Sequence, residues 1–576
     1  LKLNELPSAF PERLGLDIET TSLDRFHCTL RTIALSDGSE TWILTDRFER
    51  VVPILEDPTI TKIIHNADYD LPILVRYLKC APQNIYDTLL VERLLNNGLM
   101  IDNSLEQVLA RRLGVLIDKD LSTSFTDGLF AQTLSNEQLH YIENDCKYLI
   151  RLSEEQAKEI GACNLWDVVN LENADILVTL DKTMTGIGFD LQKWNAMRAE
   201  IEMALAYLRD EMLQIVGEDF TIRVRRKQKD VLFDDVIEGP DIKWNSPEQL
   251  KAALHALGLK VRDTKRLTLE QLEDRHPFIP LLLEWKKWFK ALTWRWEEYI
   301  NETTDRIHPN WNQAGTITGR FSSANPNMQQ IPRTMPGYPN FRALFRPLPN
   351  HKLIVCDWSQ QEPRILAHVS QDARMIEAAN KSDIYLAFAK DIWDEDIERH
   401  DYRRQLAKIA VLATFYGVWH VNLAPRLGIS EQETKELQEK IFTAYPQAKR
   451  WGDYQFGAVL KHGYTQTVLG RRIYFSDIRK NLHWKIRKDS RNYPIQGTGA
   501  DMAKLAEIKI YDIIQTHKFD AHLMIGLHDE LVVTCHQDQA EEFFPLMQQA
   551  MESAGKTLCP SVNFPVEGVI SDTWEH

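Results

Sequence analysis

The sequence predicts an α+β chain of several domains, and three observations predict it. Its 576 residues are enough for more than one sizeable core. Short apolar runs that read as buried strands carry or end at carboxylates, at Leu14–Glu19, Leu353–Asp357 and His522–Thr534. Long helical stretches separate them, at about 191–216, 275–300 and Arg403–Gly417.

Hydrophobic residues at 44% and charged residues at 26% describe an ordinary soluble protein. No apolar run is long enough to span a bilayer, and no signal peptide is recognisable. The chain starts with Leu1, as a trimmed or processed chain would. Seven cysteines without a Cys-x-x-Cys pair argue against a zinc site or a disulfide framework, and for a reducing, intracellular compartment. A net charge of −15 by itself argues against a nucleic-acid partner. Basic clusters interrupt it at Arg223–Lys229, Arg403-Arg404, Arg471-Arg472 and Lys485–Arg491, each alone reading as a solvated face.

Along the chain, Asp17 and Glu19 stand two apart on a probable strand, so their carboxylates share one face. The bland alternative is a short exposed edge strand. Asp70 closes Asn66-Ala-Asp-Tyr-Asp70 after the apolar run Ile60–Ile64, and Asp145 follows Tyr141 on a helical stretch with Leu139, Ile142, Cys146 and Leu149 on it. Residues 151–170 read as a helix leading out of the first domain. Trp285, Trp288, Phe289, Leu292 and Trp296 fall on one face of the 275–300 helix, which predicts core packing. The basic stretch 223–229 reads either as a tip that meets phosphates or as a solvated hairpin. Thr316–Pro332 is a long polar loop, which favours function over spacer.

Asp357 follows a buried strand directly, and Pro363 is expected to stop any early helix after it. Alone, this stretch reads as an acidic turn capping the next helix or as half of a metal site. His522–Thr534 reads as strand, acidic turn, strand, with His528 before the tip pair Asp529-Glu530. Such a hairpin can bring Asp529 to Asp357, and two aspartates so placed repel unless divalent cations lie between them. Arg404, Lys408, Leu412 and Tyr416 recur every four residues up to Gly417 and form a stripe roughly 18 Å long. That length suits a nucleotide with its triphosphate at the cationic end and its base near Tyr416. Gly497-Thr-Gly499 lacks the strand–loop–helix context and lysine of a phosphate loop.

Together and in this order, the stretches resemble the family A DNA polymerases of the bacterial polymerase I large-fragment type, over nearly the whole chain. Asp357-Trp-Ser-Gln-Gln-Glu-Pro-Arg364 looks like motif A, Arg404–Gly417 like motif B, and His528-Asp-Glu530 like motif C. The first acids, with Asp87-Thr-Leu-Leu and Asn103-Ser-Leu-Glu, resemble a DEDD 3′–5′ exonuclease domain. Implied is a ribonuclease H-like exonuclease domain at 1–160, then a right-hand polymerase domain at 161–576. Its thumb would span about 170–300, its palm about 301–372 and 490–576, and its fingers about 373–489.

The resemblance also implies roles. Asp357, Asp529 and the Trp358 carbonyl would hold two Mg²⁺, with Mn²⁺ as a substitute; Asp17, Glu19, Asp70 and Asp145 would hold another two. Glu530 and Lys408 join the catalytic set. Arg404, Lys408, Leu412, Tyr416, Glu362, Gln360 and His528 would meet the dNTP. Arg320, Asn325, Arg364, Lys488, Asn492 and Gln496 would contact DNA, and Leu23 would wedge the 3′ end. Tyr141 sits four before Asp145 and His140 five before it, so both exonuclease subclasses fit; the surrounding chain favours Tyr141 as the residue orienting the attacking water. The partners implied are primer–template DNA, dNTPs and a single-stranded 3′ end, for a monomer in the cytoplasm or nucleoid, or an organelle, without a membrane. No processivity partner is indicated, and no 5′-nuclease is expected ahead of residue 1. Leu412 stands where the family commonly has Phe or Tyr, which leans towards a phage origin, and Lys488 stands where it has Arg. A single-subunit RNA polymerase, or a stand-alone exonuclease with a polymerase-like binding module, is the competing reading. Glu362 with Tyr416 would close the space under C2′ of the sugar. Glu362→Ala should therefore raise ribonucleotide incorporation about tenfold or more in a dNTP-versus-NTP extension assay; unchanged rejection would place the gate elsewhere.

Overall fold

The computed structural model describes the chain apart from residues 8, 118–133, 218–219, 229–230, 382 and 576. It divides into two compact units, one of Leu1–Ile187, His308–Gln330 and Pro347–His576, the other of Gly188–Ile307 and Ile331–Arg346.

The first unit contains a six-stranded mixed sheet in the order Lys2–Leu3, Thr41–Leu44, Leu30–Ser36, Arg13–Thr20, Thr61–Ile64, Ile85–Asp87. Arg13–Thr20 runs antiparallel to Leu30–Ser36 and parallel to Thr61–Ile64, so the edge-strand alternative does not hold. Leu14, Leu16, Ile33 and Ile64 of its strands are fully buried. A Cβ on Gly15 would lie 2.5 Å from the Cys146 carbonyl oxygen. Only glycine lets the helix Asn136–Lys147 cross the strand that closely, and this crossing carries Asp145 towards Asp17.

A second sheet of the same unit is antiparallel throughout, in the order Ala521–Leu527, Glu530–His536, His351–Trp358, Val566–Ser571. Leu353, Ile354, Val355 and Cys356 are fully buried in its central strand. Asp357 does not follow this strand but lies within it, because Glu530 and Glu567 pair with it from both sides and carry the ladder one residue further. The helix Gln361–Ser370 begins at once and includes Pro363, against the expected stop. Pro363 occupies the first turn, where a missing N–H leaves no hydrogen bond unmade. The helix Tyr402–Phe415 ends two residues before Gly417, whose φ of +76° turns the chain away.

The same unit contains the 35-residue helix His483–His517. Gly497 and Gly499 sit inside it, where Cβ atoms would lie 2.5 Å from Thr467 Cγ2 and 2.7 Å from Gln361 Oε1. Close packing, with no phosphate loop, accounts for both.

In the second unit, Asp190 caps the helix Leu191–Val216 by accepting from the Lys193 N–H at 2.9 Å, and this helix packs on Phe278–Leu292. The latter ends at Leu292, short of the expected 300, and Trp296 lies in the following 3₁₀ turn. Trp296 is 1% exposed, with its ring 5.3 Å from Phe189 and 5.4 Å from Phe345. That aromatic cluster takes Trp296 off the helix face on which its spacing had put it. The basic stretch forms part of the hairpin Thr221–Gln228 and Val231–Glu238, and Lys229 lies outside the described residues.

Gly555, in the helix Ala540–Leu558, has Phe564 side-chain atoms 2.7 Å from where a Cβ would stand. Gly555→Ala should lower stability by about 1–3 kcal/mol, read as a drop in Tm; an unchanged Tm would mean that Phe564 can move aside.

Candidate active sites

Two groups of acids form in the first unit. Asp17 and Glu19 of the six-stranded sheet and Asp145 of the helix Asn136–Lys147 each offer a carboxylate oxygen, and these lie within 4.8 Å of one another. Asp70 joins them from the first turn of the helix Ala67–Leu78, which the buried Asp87 positions by accepting from the Asn66, Ala67, Leu89 and Leu90 N–H groups. Burial, then the charges of Asp17, Asp87, Glu19 and Asp145, push the Asp70 carboxyl well above the usual range. Crowded buried acids with raised affinity for positive charge are what a divalent-cation site needs, so the residues fit such ions.

Tyr141 is 7% exposed. Desolvation and its neighbours Asp145, Glu19 and Asp17 push its hydroxyl upward, so it stays protonated among the acids. His140 points outward with a side chain 74% exposed, against Glu143. Leu23 is 81% exposed and follows Ser22, whose carbonyl accepts from Tyr69 Oη at 3.0 Å.

The second group lies at the end of the antiparallel sheet. The turn His528-Asp529 joins its two hairpin strands, with His528 exposed at φ +54°. The Trp358 N–H donates to the Asp529 carbonyl at 3.0 Å, and this bond sets Asp529 beside the strand end that carries Asp357. Both are carboxylates at neighbouring strand ends, a donor set that suits a divalent cation. Glu530 departs from the expected tip pair. It is 2% exposed, and its Oε1 accepts from Trp574 Nε1 at 2.8 Å, so it is a buried, held carboxylate.

Glu362 accepts from Tyr416 Oη at 2.5 Å and from Arg320 Nη2 at 3.0 Å. Desolvation and the adjacent Glu362 push the Tyr416 hydroxyl well up, which keeps it a donor. The stripe Arg404, Lys408, Leu412, Tyr416 is the less buried face of its helix, while Ala407, Ala410, Val411 and Thr414 face the core. Arg404 is paired with Asp383 at 2.6 Å, and Arg404 and Lys408 lie 5.4 and 5.5 Å from the centre of the Tyr385 ring. Neither Asp383 nor Tyr385 was singled out from sequence; the capping position of Asp383 before the helix Ile384–Trp393 was the available signal.

Lys488, Asn492 and Gln496 recur every four residues on the long helix, the first exposed and the others half-buried. Gly417 packs on the main chain of Lys488, so this row adjoins the Tyr416 end of the stripe. Asn325 is exposed at φ +52°. Gln360 and Arg364 fare differently. The Gln360 Oε1 accepts from the Ile384 N–H at 2.9 Å. Arg364 is 1% exposed and donates to the carbonyls of Ser359, Ala379 and Asn563, so it holds three chain segments and is corrected from DNA contact to buried support.

Comparisons with known proteins give the family. Residues 191–576 match the model of DNA polymerase family A, and residues 2–160 match that of a 3′–5′ exonuclease. The chain belongs to DNA polymerase family A. It is 31% identical to DNA polymerase I of Aquifex aeolicus over 97% of this chain and 95% of that one. It is 27% identical to DNA polymerase I of Chloroflexus aurantiacus over 91% of this chain, spanning 56% of that relative's length. With the Caldicellulosiruptor bescii relative, at 53% of its length, it likewise spans about half. The fold is that of the polymerase domain of Pol1 from M. smegmatis, solved with DNA primer-template and dNTP, at a TM-score of 0.83, 23% identity and 98% and 96% coverage.

Tyr141→Phe should lower 3′–5′ degradation of a labelled single strand about tenfold or more, while His140→Ala stays within about twofold. The reverse result would move the water-orienting role to His140.

Proposed function

We propose that the chain is a template-directed DNA polymerase that extends a primer 3′-hydroxyl with dNTPs and proofreads with a separate 3′–5′ exonuclease. The observation that carries this is the junction of Asp357 and Asp529 at neighbouring strand ends, next to the Arg404–Tyr416 stripe. The family match supports the reading, and the model matches at 2–160 and 191–576 support a division near residue 160. The unit of 188–307 and 331–346 would be the thumb.

Asp357, Asp529 and the Trp358 carbonyl would hold Mg²⁺ at the polymerase site, and Asp17, Glu19, Asp70 and Asp145 at the exonuclease site. Bound there, divalent ions would supply a more acidic attacking hydroxyl or water and offset charge on the leaving group. Lys408 and Arg404 would neutralise the triphosphate, Arg404 exchanging Asp383 for phosphate oxygens. Leu412 would face the sugar. Glu362, fixed by Tyr416 and Arg320, would fill the space a 2′-hydroxyl needs. Asn492, Gln496 and Arg320 would follow the primer–template minor groove, where acceptors are nearly the same for every correct pair. Tyr141 would orient the water that attacks the terminal phosphodiester, and Leu23 would part the 3′-terminal nucleotides. The place of action would be inside the cell; among the described residues no helix is long and apolar enough to cross a membrane.

With a labelled primer on a DNA template and Mg²⁺, Asp529→Ala should reduce extension at least about a hundredfold and leave degradation intact. Asp17→Ala/Glu19→Ala should do the opposite. A wild type that only degrades would overturn the polymerase reading.

A further inference from the structure

We infer that Asn97, a residue of the N-terminal exonuclease-like segment, positions Arg320 for the polymerase reaction; this rests on reading Arg320 as a primer contact. Asn97 follows the helix Thr88–Leu95, between Asp70 and Asp145 in the sequence. Its Nδ2 donates to two carbonyls at once, Ile317 at 3.0 Å and Arg472 at 2.9 Å. Its own carbonyl accepts from the Tyr474 N–H at 2.8 Å. The next residue, Gly98, has φ +92°, and a Cβ there would lie 2.3 Å from the Tyr474 carbonyl oxygen. The Asn97-Gly98 corner therefore sits flush on the strand Arg472–Tyr474, and its side chain ties that strand to the loop Thr316–Arg320.

Bonds within the loop also hold its shape. The Gly319 N–H donates to the Thr316 carbonyl at 3.0 Å, and Thr316 Oγ1 donates to the Arg320 carbonyl at 3.0 Å. Beneath it lies Arg471, whose Nε is 2.7 Å from where a Gly319 Cβ would stand. Arg471 is 2% exposed and fixed by Glu172 and Asp501, so the floor of the loop is rigid. Asn97 supplies a second tie, at Ile317. From Ile317 three residues lead to Arg320, whose guanidinium reaches Glu362, which accepts from Tyr416. A shift of the loop would thus move the group that tests the primer terminus and the group that excludes the 2′-hydroxyl together. Positional errors of about 1 Å at such a group are enough to cost rate.

The test compares full-length variants in the Asp17→Ala/Glu19→Ala background, so that degradation does not mask extension. Asn97→Ala should lower kcat for a matched primer terminus about five- to tenfold, as expected for two lost hydrogen bonds, with KM for dNTP within about twofold. The ratio of matched to mismatched extension should fall about fivefold. With the exonuclease acids restored, single-strand degradation should equal wild type, and Tm should be retained. Asn97→Asp keeps the shape but sets a charged, acceptor-only oxygen against the same two carbonyls, and should lose at least as much. The double variant with Arg320→Ala should be no worse than Arg320→Ala alone, since both act through one group. Wild-type extension and mismatch ratio in both Asn97 variants, or a multiplicative double variant, overturns the inference while the primer reading stands. Arg320→Ala that extends like its parent overturns that reading, and the inference with it.

Discussion

Three cations removed from water, Lys182, Arg471 and Lys504, tie together the stretches of chain on which both acid groups depend. Glu172 accepts from Arg471 Nη2 at 2.5 Å and from Lys504 Nζ at 2.6 Å. Arg471 Nε also donates to Asp501 at 2.8 Å, and Lys182 donates to Glu507 at 2.7 Å. Gln313 closes the set, its Nε2 donating to the Glu172 carboxylate and its carbonyl accepting from Lys504. Burial alone would raise the Glu172 carboxyl, yet Lys504 and Arg471 hold it below its ordinary value. Burial and the neighbouring Glu507 push Asp175 well above its own. Charges placed so deeply demand partners in one arrangement, and removing a single partner from such a set costs about 3–5 kcal/mol.

The consequence is register. Asp501, Lys504 and Glu507 all belong to the helix His483–His517, so the network fixes that helix both along and about its axis. Asn492 and Gln496, up to three turns earlier, are placed by the same constraint. Glu172 and Lys182 belong to the helix Trp166–Thr185, which also packs on Ala67–Leu78, the helix that carries Asp70. The acids grouped around Asp17 and the strand-end aspartates thus hang from one scaffold. Phe321, one residue after Arg320, lies with its ring centre 3.8 Å from Lys182 Nζ and 5.1 Å from Lys504 Nζ, which carries the same rigidity to the loop under the primer-contact candidate.

The acids were legible in the sequence because polarity breaks an apolar run at few places, and period-two geometry assigns the face without tertiary information. Asp17 with Glu19 and the hairpin around Asp529 are of this kind. The stripe Arg404–Tyr416 was legible for the same reason with a helical period. What was not legible depended on partners remote in the chain. Arg364 reads like a surface cation until Asn563, 199 residues away, is seen to accept from it. Glu530 reads like half of a tip pair until Trp574 covers it. The Glu172–Lys504 pair spans 332 positions and has no local signature. Pro363 was misread because a proline signals a stop only inside a helix, and local sequence did not show that the helix started two residues before it.

The most direct measurement is anomalous diffraction from crystals of the chain grown with Mn²⁺, a primer–template and a non-hydrolysable dNTP. Anomalous peaks between Asp357 and Asp529, and separately among Asp17, Glu19, Asp70 and Asp145, are the expected result. Peaks confined to the exonuclease acids, with nucleotide bound and the strand-end aspartates metal-free, would contradict the account of a polymerase built on the second sheet.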